Sequence, residues 1–255
     1  MILLIRHGQS EQNAAAETPG AARAPSGRRR DWALTERGRR QAEARGRWLR
    51  ATAGDAAVLH SSPYARALAT AEAFGLGWPD RMEELADRDW AAWFEGGEGP
   101  EERGALARRL ASDDPWGWRP PGGESLLDLR ARMSVYLRSL SATGRPDRPP
   151  IVIAVSHGEP ILAMRAVMEG IPLRGTLRRR QGKSGHGLPN CGVLAYSRVD
   201  PETPGRRLPA YRWRGHLVDP DHAATGWNAL SWTDLGETAS SSDAGADDGG
   251  APGDA

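Results

Sequence analysis

The chain has 255 residues, of which 26% are charged and 39% are hydrophobic, and its formal net charge is +1. This length and composition are typical of one large soluble domain or of a domain with a tail. The single cysteine, Cys191, excludes an intramolecular disulfide and any zinc or redox site built on several cysteines. The balanced charge and the lack of an RRM or helix-turn-helix motif argue against a nucleic-acid-binding protein.

The apolar segments of the chain are short. The first, Met1 to Ile5, falls below the roughly 7 to 15 apolar residues of a signal peptide, and no run approaches the length of a transmembrane helix. We therefore expect a cytoplasmic protein that does not associate with membranes. The segment Gly236 to Ala255 has five acidic residues, no basic ones and no large apolar ones, and is predicted to be a disordered tail.

The pattern of apolar residues predicts alternating strands and helices. Strands are predicted at 2–5, 56–59, 151–155, 192–199 and 210–214, and helices at about 34–49, 62–74, 126–140 and 158–167. Loops are predicted at 14–30 and over a long irregular insertion at about 75–123, with a short helix at 100–110. The alternation indicates a layered α/β fold with a mostly parallel sheet, in one domain over residues 1–235.

Helix starts and the central strand have recognisable signals. Ser62 followed by proline predicts an N-cap, and Ser125 with Asp128 predicts a capping pair for the helix that follows. The unbroken apolar run Ile151 to Val155 is typical of a strand in the middle of a parallel sheet.

Basic side chains follow three of the predicted strands. Arg6 and His7 follow the first strand, Arg66 lies in the first turn after the second, and His157 follows the strand at 151–155. Ligands of parallel α/β sheets bind beyond the carboxyl ends of the strands, so we expect these groups to converge. Guanidinium and imidazole groups converging on one point suit a phosphoryl group.

The other reading of these residues is a buried network of ion pairs, but the three strand ends carry no acidic residues that would complete one. His60 is interpreted as a strand-end histidine with a structural partner. The spacing of His186, His216 and His222 matches no metal-ligand motif, so no metal site is expected.

Five segments carry a clear resemblance to a known family. In chain order, across about residues 1 to 168, they are "LLIRHGQSEQN", "LTERGRRQA", "SSPYARALATAEA", "PPGGES" and "VIAVSHGEPI". Together they resemble the motifs of the histidine phosphatase superfamily, also called phosphoglycerate mutase-like. The resemblance implies a three-layer α/β/α fold and a metal-independent phosphatase without a cofactor, acting on a small-molecule phosphate monoester.

The resemblance also implies roles for individual residues. His7 would be the nucleophile that forms a phosphohistidine, a group that histidine can accept covalently. Catalytic contacts to the phosphate oxygens would come from Arg6, Arg66 and His157. Substrate binding would involve Arg6, Gly8, Asn13, Arg66, His157 and Gly158. Two nearby guanidiniums disfavour a charged imidazole, so we expect the pKa of His7 to lie below about 6.5.

The general acid is where the sequence departs from the family. Members usually carry a glutamate in a stretch resembling L-x-E-x-x-F/W-G-x-W, whereas this chain reads "LADRDWAAW", with Asp87 at the glutamate position and Ala91 at the glycine. Aspartate is one methylene shorter. We therefore predict Asp87 as the acid and keep Glu84 and Glu83 as alternatives.

Two other functions stay open. A phosphoglycerate mutase would return the phosphate to another hydroxyl, and a protein with a weak acid could bind phosphorylated ligands without turnover. The arginine runs 28–30 and 178–180 are interpreted as solvated faces, with binding of a second anionic group of a substrate as the alternative. The tryptophans near the insertion, Trp90, Trp93, Trp116 and Trp118, are interpreted as packing, with an aromatic substrate wall as the alternative.

Overall fold

The computed structural model describes residues 1–17, 28–53, 57–90, 116–120, 122–142, 151–171, 188–200, 208, 211–217 and 230–235. The strands are β1 (Ile2–Arg6), β2 (Ala57–Ser61), β3 (Asp80–Arg81), β4 (Ile151–Ser156), β5 (Val193–Ser197), β6 (Trp213–Leu217) and β7 (Ser231–Asp234). The α-helices are α1 (Glu11–Glu17), α2 (Glu36–Ala53), α3 (Ala65–Ala73), α4 (Leu126–Ala142) and α5 (Gly158–Met168), with short 3-10 helices at Arg29–Asp31 and Glu83–Leu85. The acidic tail, Arg178 to Arg180 and the helix predicted at 100–110 lie outside the described residues.

The strands form one sheet in the order β3-β2-β4-β1-β5-β6-β7. Strands β3, β2, β4 and β1 are parallel, whereas β5, β6 and β7 add to the β1 edge in antiparallel pairs. The predicted α/β fold with a sheet that is parallel among its core strands is confirmed, and β4 occupies the predicted central position. Arg6 pairs with Ser156 and Ser61 with Val155, so the carboxyl ends of β1, β2 and β4 are level.

Helices cover both faces of the sheet. Because side chains of a strand alternate between faces, Leu3 and Ile5 of β1 pack with α2 and α3, while Ile2 and Leu4 pack with α4 and α5. These two buried clusters give the three layers that the family resemblance implies. Among the helices in the described ranges, none is long and apolar enough to cross a bilayer.

Several element boundaries differ from the sequence prediction. α1 lies partly within the predicted loop 14–30, β6 begins and ends three residues later than predicted, and β3 and β7 were not predicted. Strands β3 and β7 are only two and four residues long, which is too short for the alternation of apolar and polar residues that would predict a strand. The predicted Ser125–Asp128 capping pair is present, with the Ser125 N–H donating to Asp128 Oδ2 at 2.8 Å.

The prediction that Ser62 caps the helix after β2 is wrong. α3 begins at Ala65 and its N-cap is Tyr64. Ser62 instead continues the β2–β4 pairing, because its N–H donates to the Val155 carbonyl at 2.9 Å. Its side chain is used in the site described below.

Two glycines allow helix α2 to contact the loop that follows β1. A Cβ atom on Gly38 would lie 2.1 Å from the Gln9 carbonyl oxygen, and one on Gly8 would lie 2.5 Å from the Gly38 carbonyl oxygen. Both distances are shorter than any van der Waals contact, so this approach requires glycine on both sides. The contact fixes the loop that begins with His7.

Candidate active site

The basic residues predicted at three strand ends converge on one cavity. It has a volume of about 270 Å³ and lies at the carboxyl edge of the parallel strands; we call it the His7 cavity. The rings of His7 and His157 face each other there, with centroids 5.1 Å apart. The lining residues are Arg6, His7, Gln12, Asn13, Ala16, Arg29, Arg66, Asp87, Trp90, His157, Gly158 and Glu159.

His7 is buried and held by a hydrogen bond on each ring nitrogen. Its Nδ1 lies 2.7 Å from the Gly8 carbonyl oxygen, which can only accept, so we assign the proton to Nδ1. Its Nε2 accepts from Arg66 Nε at 3.2 Å. Burial, followed by the charges of Arg66, His157 and Arg6, holds the pKa of His7 well below its usual value. His7 is therefore neutral near pH 7, with a lone pair on Nε2.

Arg66 is the centre of the hydrogen-bond network. Besides its contact to His7, Nη1 donates to the Arg29 carbonyl at 2.7 Å and Nη2 to Asp87 Oδ2 at 2.9 Å. Arg6 donates from Nη1 to the Leu188 carbonyl at 2.9 Å. Burial lowers the pKa of both arginines, but arginine stays protonated in proteins. The cavity therefore keeps two fixed positive charges beside His7.

Of the three predicted acids, Asp87 is the one that lines the His7 cavity, which is also lined by the buried Glu159 of α5. Its Oδ2 accepts from Arg66 and, at 3.3 Å, from Arg29, and lies 3.8 Å from His157 Nδ1. Burial raises the pKa of Asp87, but Arg29 and Arg66 outweigh that effect and the pKa is lowered overall. Asp87 is thus ionised and occupies a position suited to an anion.

The two alternative acids lie elsewhere. Glu83 lines a neighbouring cavity, and Glu84 acts electrostatically on His60 and Tyr136. Neither lines the His7 cavity. His60 itself has a structural partner, the Tyr136 hydroxyl at 2.9 Å from Nδ1.

His157 is the N-cap residue of α5 and is buried. Its Nε2 lies 2.8 Å from the Ser62 hydroxyl, and its ring meets that of Tyr64 edge to face at 5.1 Å. Burial and the charges of Arg66, Arg29 and Arg6 keep the pKa of His157 well below its usual value. Nδ1 faces the cavity and has no hydrogen-bond partner among the described residues.

The remaining predicted site residues divide into two groups. Asn13 and Gly158 line the His7 cavity. Gly8 is not among the lining residues, and its role in substrate binding stays a prediction: its N–H donates to Thr70 Oγ1 at 3.0 Å and its carbonyl accepts from His7 Nδ1. Its role in this structure is to position the histidine and allow the close contact with α2.

Three residues of the site were missed or misread at the sequence level. Arg29 was noted only within a basic run, yet it contacts Asp87 directly. Ser62 was read as a helix cap. Asn190, whose side chain donates to the His7 carbonyl at 2.9 Å and to Asn13 Oδ1 at 3.1 Å, lies in a segment without a recognisable motif.

A second cavity, of about 460 Å³, adjoins the first. The two cavities share the lining residues Arg29, Asp87 and Trp90, so the adjacent cavity meets the His7 cavity at Asp87. Trp90 packs on Trp118 with ring centroids 6.5 Å apart, in agreement with the packing role predicted for both. The adjacent cavity is lined by Arg29, Arg30, Tyr64, Glu83, Ala86, Asp87, Arg88, Asp89, Trp90, Gly123, Glu124 and Arg132.

Fold and site together define an α/β protein with a cationic cavity at the carboxyl edge of its parallel strands, lined by a buried, neutral histidine. The sequence pattern of the histidine phosphatase superfamily (branch 1) matches residues 2–191. The chain therefore belongs to this superfamily, as its motifs indicate. Within the described ranges, no three His, Cys, Asp or Glu side chains are grouped to hold a metal ion.

Curated relatives include both phosphatases and mutases. The chain is 32% identical over 185 residues to a glucosyl-3-phosphoglycerate phosphatase of Mycolicibacterium vanbaalenii, covering 68% of this chain and 75% of the relative. It is 31% identical over 192 residues to a 2,3-bisphosphoglycerate-dependent phosphoglycerate mutase of Brucella melitensis, covering 67% of this chain and 82% of that one.

Solved structures share the fold. A mycobacterial glucosyl-3-phosphoglycerate phosphatase in complex with VO3 matches with a TM-score of 0.57 and 27% identity, covering 77% of this chain and 92% of that chain. A phosphoserine phosphatase variant from Entamoeba histolytica, in complex with phosphoserine, matches with a TM-score of 0.60 and 19% identity, covering 88% and 98%. The second likeness is one of fold alone.

Proposed function

We propose that the protein is a phosphatase that hydrolyses a small-molecule phosphate monoester through a phosphohistidine on His7. The observation that carries this proposal is the state of His7. The ring is neutral, its Nε2 is unprotonated and accepts from Arg66 Nε, and it lines a cavity bordered by Arg6, Arg66 and His157. Phosphoryl transfer needs mainly positioning and stabilisation of charge on the phosphate oxygens. These groups supply both without a metal.

The reaction has two steps. His7 Nε2 attacks phosphorus as the bond from phosphorus to the ester oxygen breaks, and the leaving oxygen takes a proton from Asp87. Water then attacks the phosphohistidine, Asp87 accepts a proton from that water, and the bond between phosphorus and nitrogen breaks. Inorganic phosphate is released and His7 is neutral again. Asp87 has regained the proton that it gave to the leaving group, and it loses this proton to solvent when phosphate leaves and takes up another when the next substrate binds.

Asp87 must be protonated before the first step, although its pKa is lowered in the unliganded protein. An incoming phosphate would take over the hydrogen bonds of Arg66 and Arg29 and place negative charge beside the carboxylate. Both changes raise the pKa of a carboxyl group. Substrate binding thereby prepares Asp87 as the acid.

The leaving group would occupy the adjacent cavity, because that cavity meets the His7 cavity at Asp87. Its lining is dominated by charged side chains, including exposed Arg30 and Glu83, with the aromatic rings of Tyr64 and Trp90. Such a lining favours a polar, hydroxyl-bearing leaving group over an alkyl chain. The 32% identity to a glucosyl-3-phosphoglycerate phosphatase agrees with this preference.

The test is a panel of phosphate esters assayed on the wild type, on His7→Ala and on the control His60→Gln. His60 is a histidine on β2 whose ring contacts Tyr136 and lies outside the His7 cavity. We expect turnover by the wild type and the control and none by His7→Ala. Acid-labile, base-stable phosphate should be found on the quenched wild type and control but not on His7→Ala. Full activity of His7→Ala would refute the proposal, and vanadate binding without turnover of any aryl phosphate would identify a binding protein.

The alternative is a phosphoglycerate mutase, and the specific observation for it is the relative from Brucella melitensis. In a mutase the phosphohistidine donates its phosphate to another hydroxyl before water reaches it. Assays of 3-phosphoglycerate with and without 2,3-bisphosphoglycerate separate the two functions. Isomerisation with little release of inorganic phosphate would replace the phosphatase proposal.

A further inference from the structure

The Ser62 hydroxyl forms a buried hydrogen bond with the second histidine of the site. Its Oγ lies 2.8 Å from His157 Nε2, and neither residue is more than 1% exposed. The same Oγ accepts from the Tyr64 N–H at 3.3 Å. One lone pair of the hydroxyl therefore accepts from Tyr64, and the hydroxyl proton can be donated to His157 Nε2.

The position of this hydroxyl is set by the sheet. The Ser62 N–H donates to the Val155 carbonyl at 2.9 Å, and Val155 lies two residues before His157 on the strand that carries it. This backbone hydrogen bond fixes the register of the Ser62 segment against β4. The hydroxyl thus stays aligned with the imidazole.

A neutral imidazole carries one proton, on either Nδ1 or Nε2, and the tautomer of His157 decides which nitrogen can donate a hydrogen bond. Burial and the neighbouring arginines hold the pKa of His157 well below its usual value, which favours the neutral form. If Ser62 accepted a hydrogen bond from Nε2–H, the lone pair of Nδ1 would face Asp87 Oδ2 at 3.8 Å. Two acceptors would then face each other, which is unfavourable. If Ser62 donates, Nδ1–H faces the carboxylate, which is electrostatically favourable.

We infer that Ser62 is a positioning residue that donates to His157 Nε2 and thereby keeps the proton on Nδ1, aimed into the His7 cavity. Nδ1 has no hydrogen-bond partner among the described residues, and 3.8 Å to Asp87 is too long for one. The donor is therefore available for an oxygen of the phosphoryl group. Preorganised donors of this kind stabilise charge that develops during reaction.

The inference rests on the proposed function for its role in turnover, but the tautomer can be measured without substrate. Long-range proton–nitrogen NMR correlation on uniformly ¹⁵N-labelled wild type, assigned by loss of the His157 signals in His157→Gln, reports which ring nitrogen carries the proton. We expect protonated Nδ1 and unprotonated Nε2 at pH 7.5. Protonated Nε2 would overturn the inference whatever the activity of the protein.

Variants then test the effect of the hydroxyl on turnover. Ser62→Ala should lower kcat about 10- to 100-fold with a smaller change in KM, because the donor acts mainly on the transition state, and Ser62→Thr should restore activity. The matched control is Ser61→Ala: this neighbouring serine is also buried, but its hydroxyl donates to the Ser62 carbonyl at 2.9 Å. Equal losses in both alanine variants, or a Ser62→Ala protein that keeps Nδ1 protonated and full kcat, would refute the role.

If no ester is turned over, the NMR result still decides the tautomer. Vanadate binding then provides the second measurement: we expect Ser62→Ala to bind vanadate about tenfold more weakly than Ser61→Ala. Equal binding by the two variants would contradict a phosphate-facing donor. Failure of the proposed function is thus separated from failure of this inference.

Discussion

Asp87 forms hydrogen bonds with two arginines of the His7 cavity. Its Oδ2 accepts from Arg66 at 2.9 Å and from Arg29 at 3.3 Å, the same guanidinium groups that a phosphate would use. A glutamate at this position would have one more methylene between backbone and carboxylate. Under the proposed function, Asp87 and the phosphate of the substrate would therefore compete for the same two guanidinium groups.

Asp87→Asn should bind inorganic phosphate more tightly while losing activity. Removing the negative charge leaves the two arginines available to the ligand, so we expect the Kd for phosphate to fall about tenfold, which corresponds to about 1.4 kcal/mol. Turnover of alkyl phosphates should fall by about 10²- to 10⁴-fold and that of aryl phosphates much less, because a good leaving group needs little protonation. Calorimetry and steady-state assays measure the two effects.

The control for this variant is Asp80→Asn, which neutralises an exposed aspartate on β3 outside both cavities. It should change neither phosphate affinity nor turnover. Weaker phosphate binding by Asp87→Asn would show that the carboxylate organises the arginines rather than competing with the ligand.

At the scale of elements, the site depends on how closely α2 approaches the loop after β1. Gly38 and Gly8 meet backbone to backbone, and the Gln9 N–H also donates to Gln41 of α2 at 3.0 Å. The loop between β1 and α1 begins with His7, so contact with α2 fixes the position of the proposed nucleophile. The glycine in the "LTERG" motif is explained by this contact.

Gly38→Ala should lower both stability and activity. The added Cβ would lie 2.1 Å from the Gln9 carbonyl oxygen, so the loop must shift, and such overpacking costs about 1 to 3 kcal/mol. Denaturant unfolding and the kcat for a good substrate measure the two effects. The control is Arg39→Ala, at the neighbouring exposed position of the same helix, which should be close to neutral in both. An unchanged kcat in Gly38→Ala would show that the loop adapts without moving His7.

At the scale of the whole molecule, folding buries two histidines in neutral form beside fixed positive charges. Burial is the largest cause of the lowered pKa of both His7 and His157. In the unfolded chain both titrate near pH 6.5. The unfolded state therefore binds more protons than the native state as the pH falls below that value, and the free energy of unfolding must decrease with it.

We expect the free energy of unfolding to fall between pH 7 and pH 5 by up to about 1.4 kcal/mol per pH unit for each of the two histidines. The double variant His7→Asn, His157→Asn lacks both groups and should show a flatter profile over this range. Urea unfolding at a series of pH values provides the measurement. Parallel profiles for wild type and double variant would mean that other groups dominate the pH dependence.

The sequence by itself determined the parallel half of the sheet and the main components of the site. The unbroken run Ile151 to Val155 predicted the central strand because a strand buried on both faces needs apolar residues throughout. Arg6, His7 and His157 were predicted to meet because the carboxyl ends of neighbouring parallel strands share one edge. Local patterns were enough for these features, and the ordered motifs were enough for the superfamily.

Only the tertiary structure decided which groups contact one another. The serine at position 62 has the local signature of a helix cap, but the pairing of β2 with β4 extends through it and turns its hydroxyl to His157. Asp87 lines the His7 cavity whereas Glu83 and Glu84 do not, and this difference depends on the path of the chain through the 3-10 helix at 83–85. Arg29 and Asn190 reach the site from segments far away in the sequence, and such long-range contacts have no local pattern that could predict them.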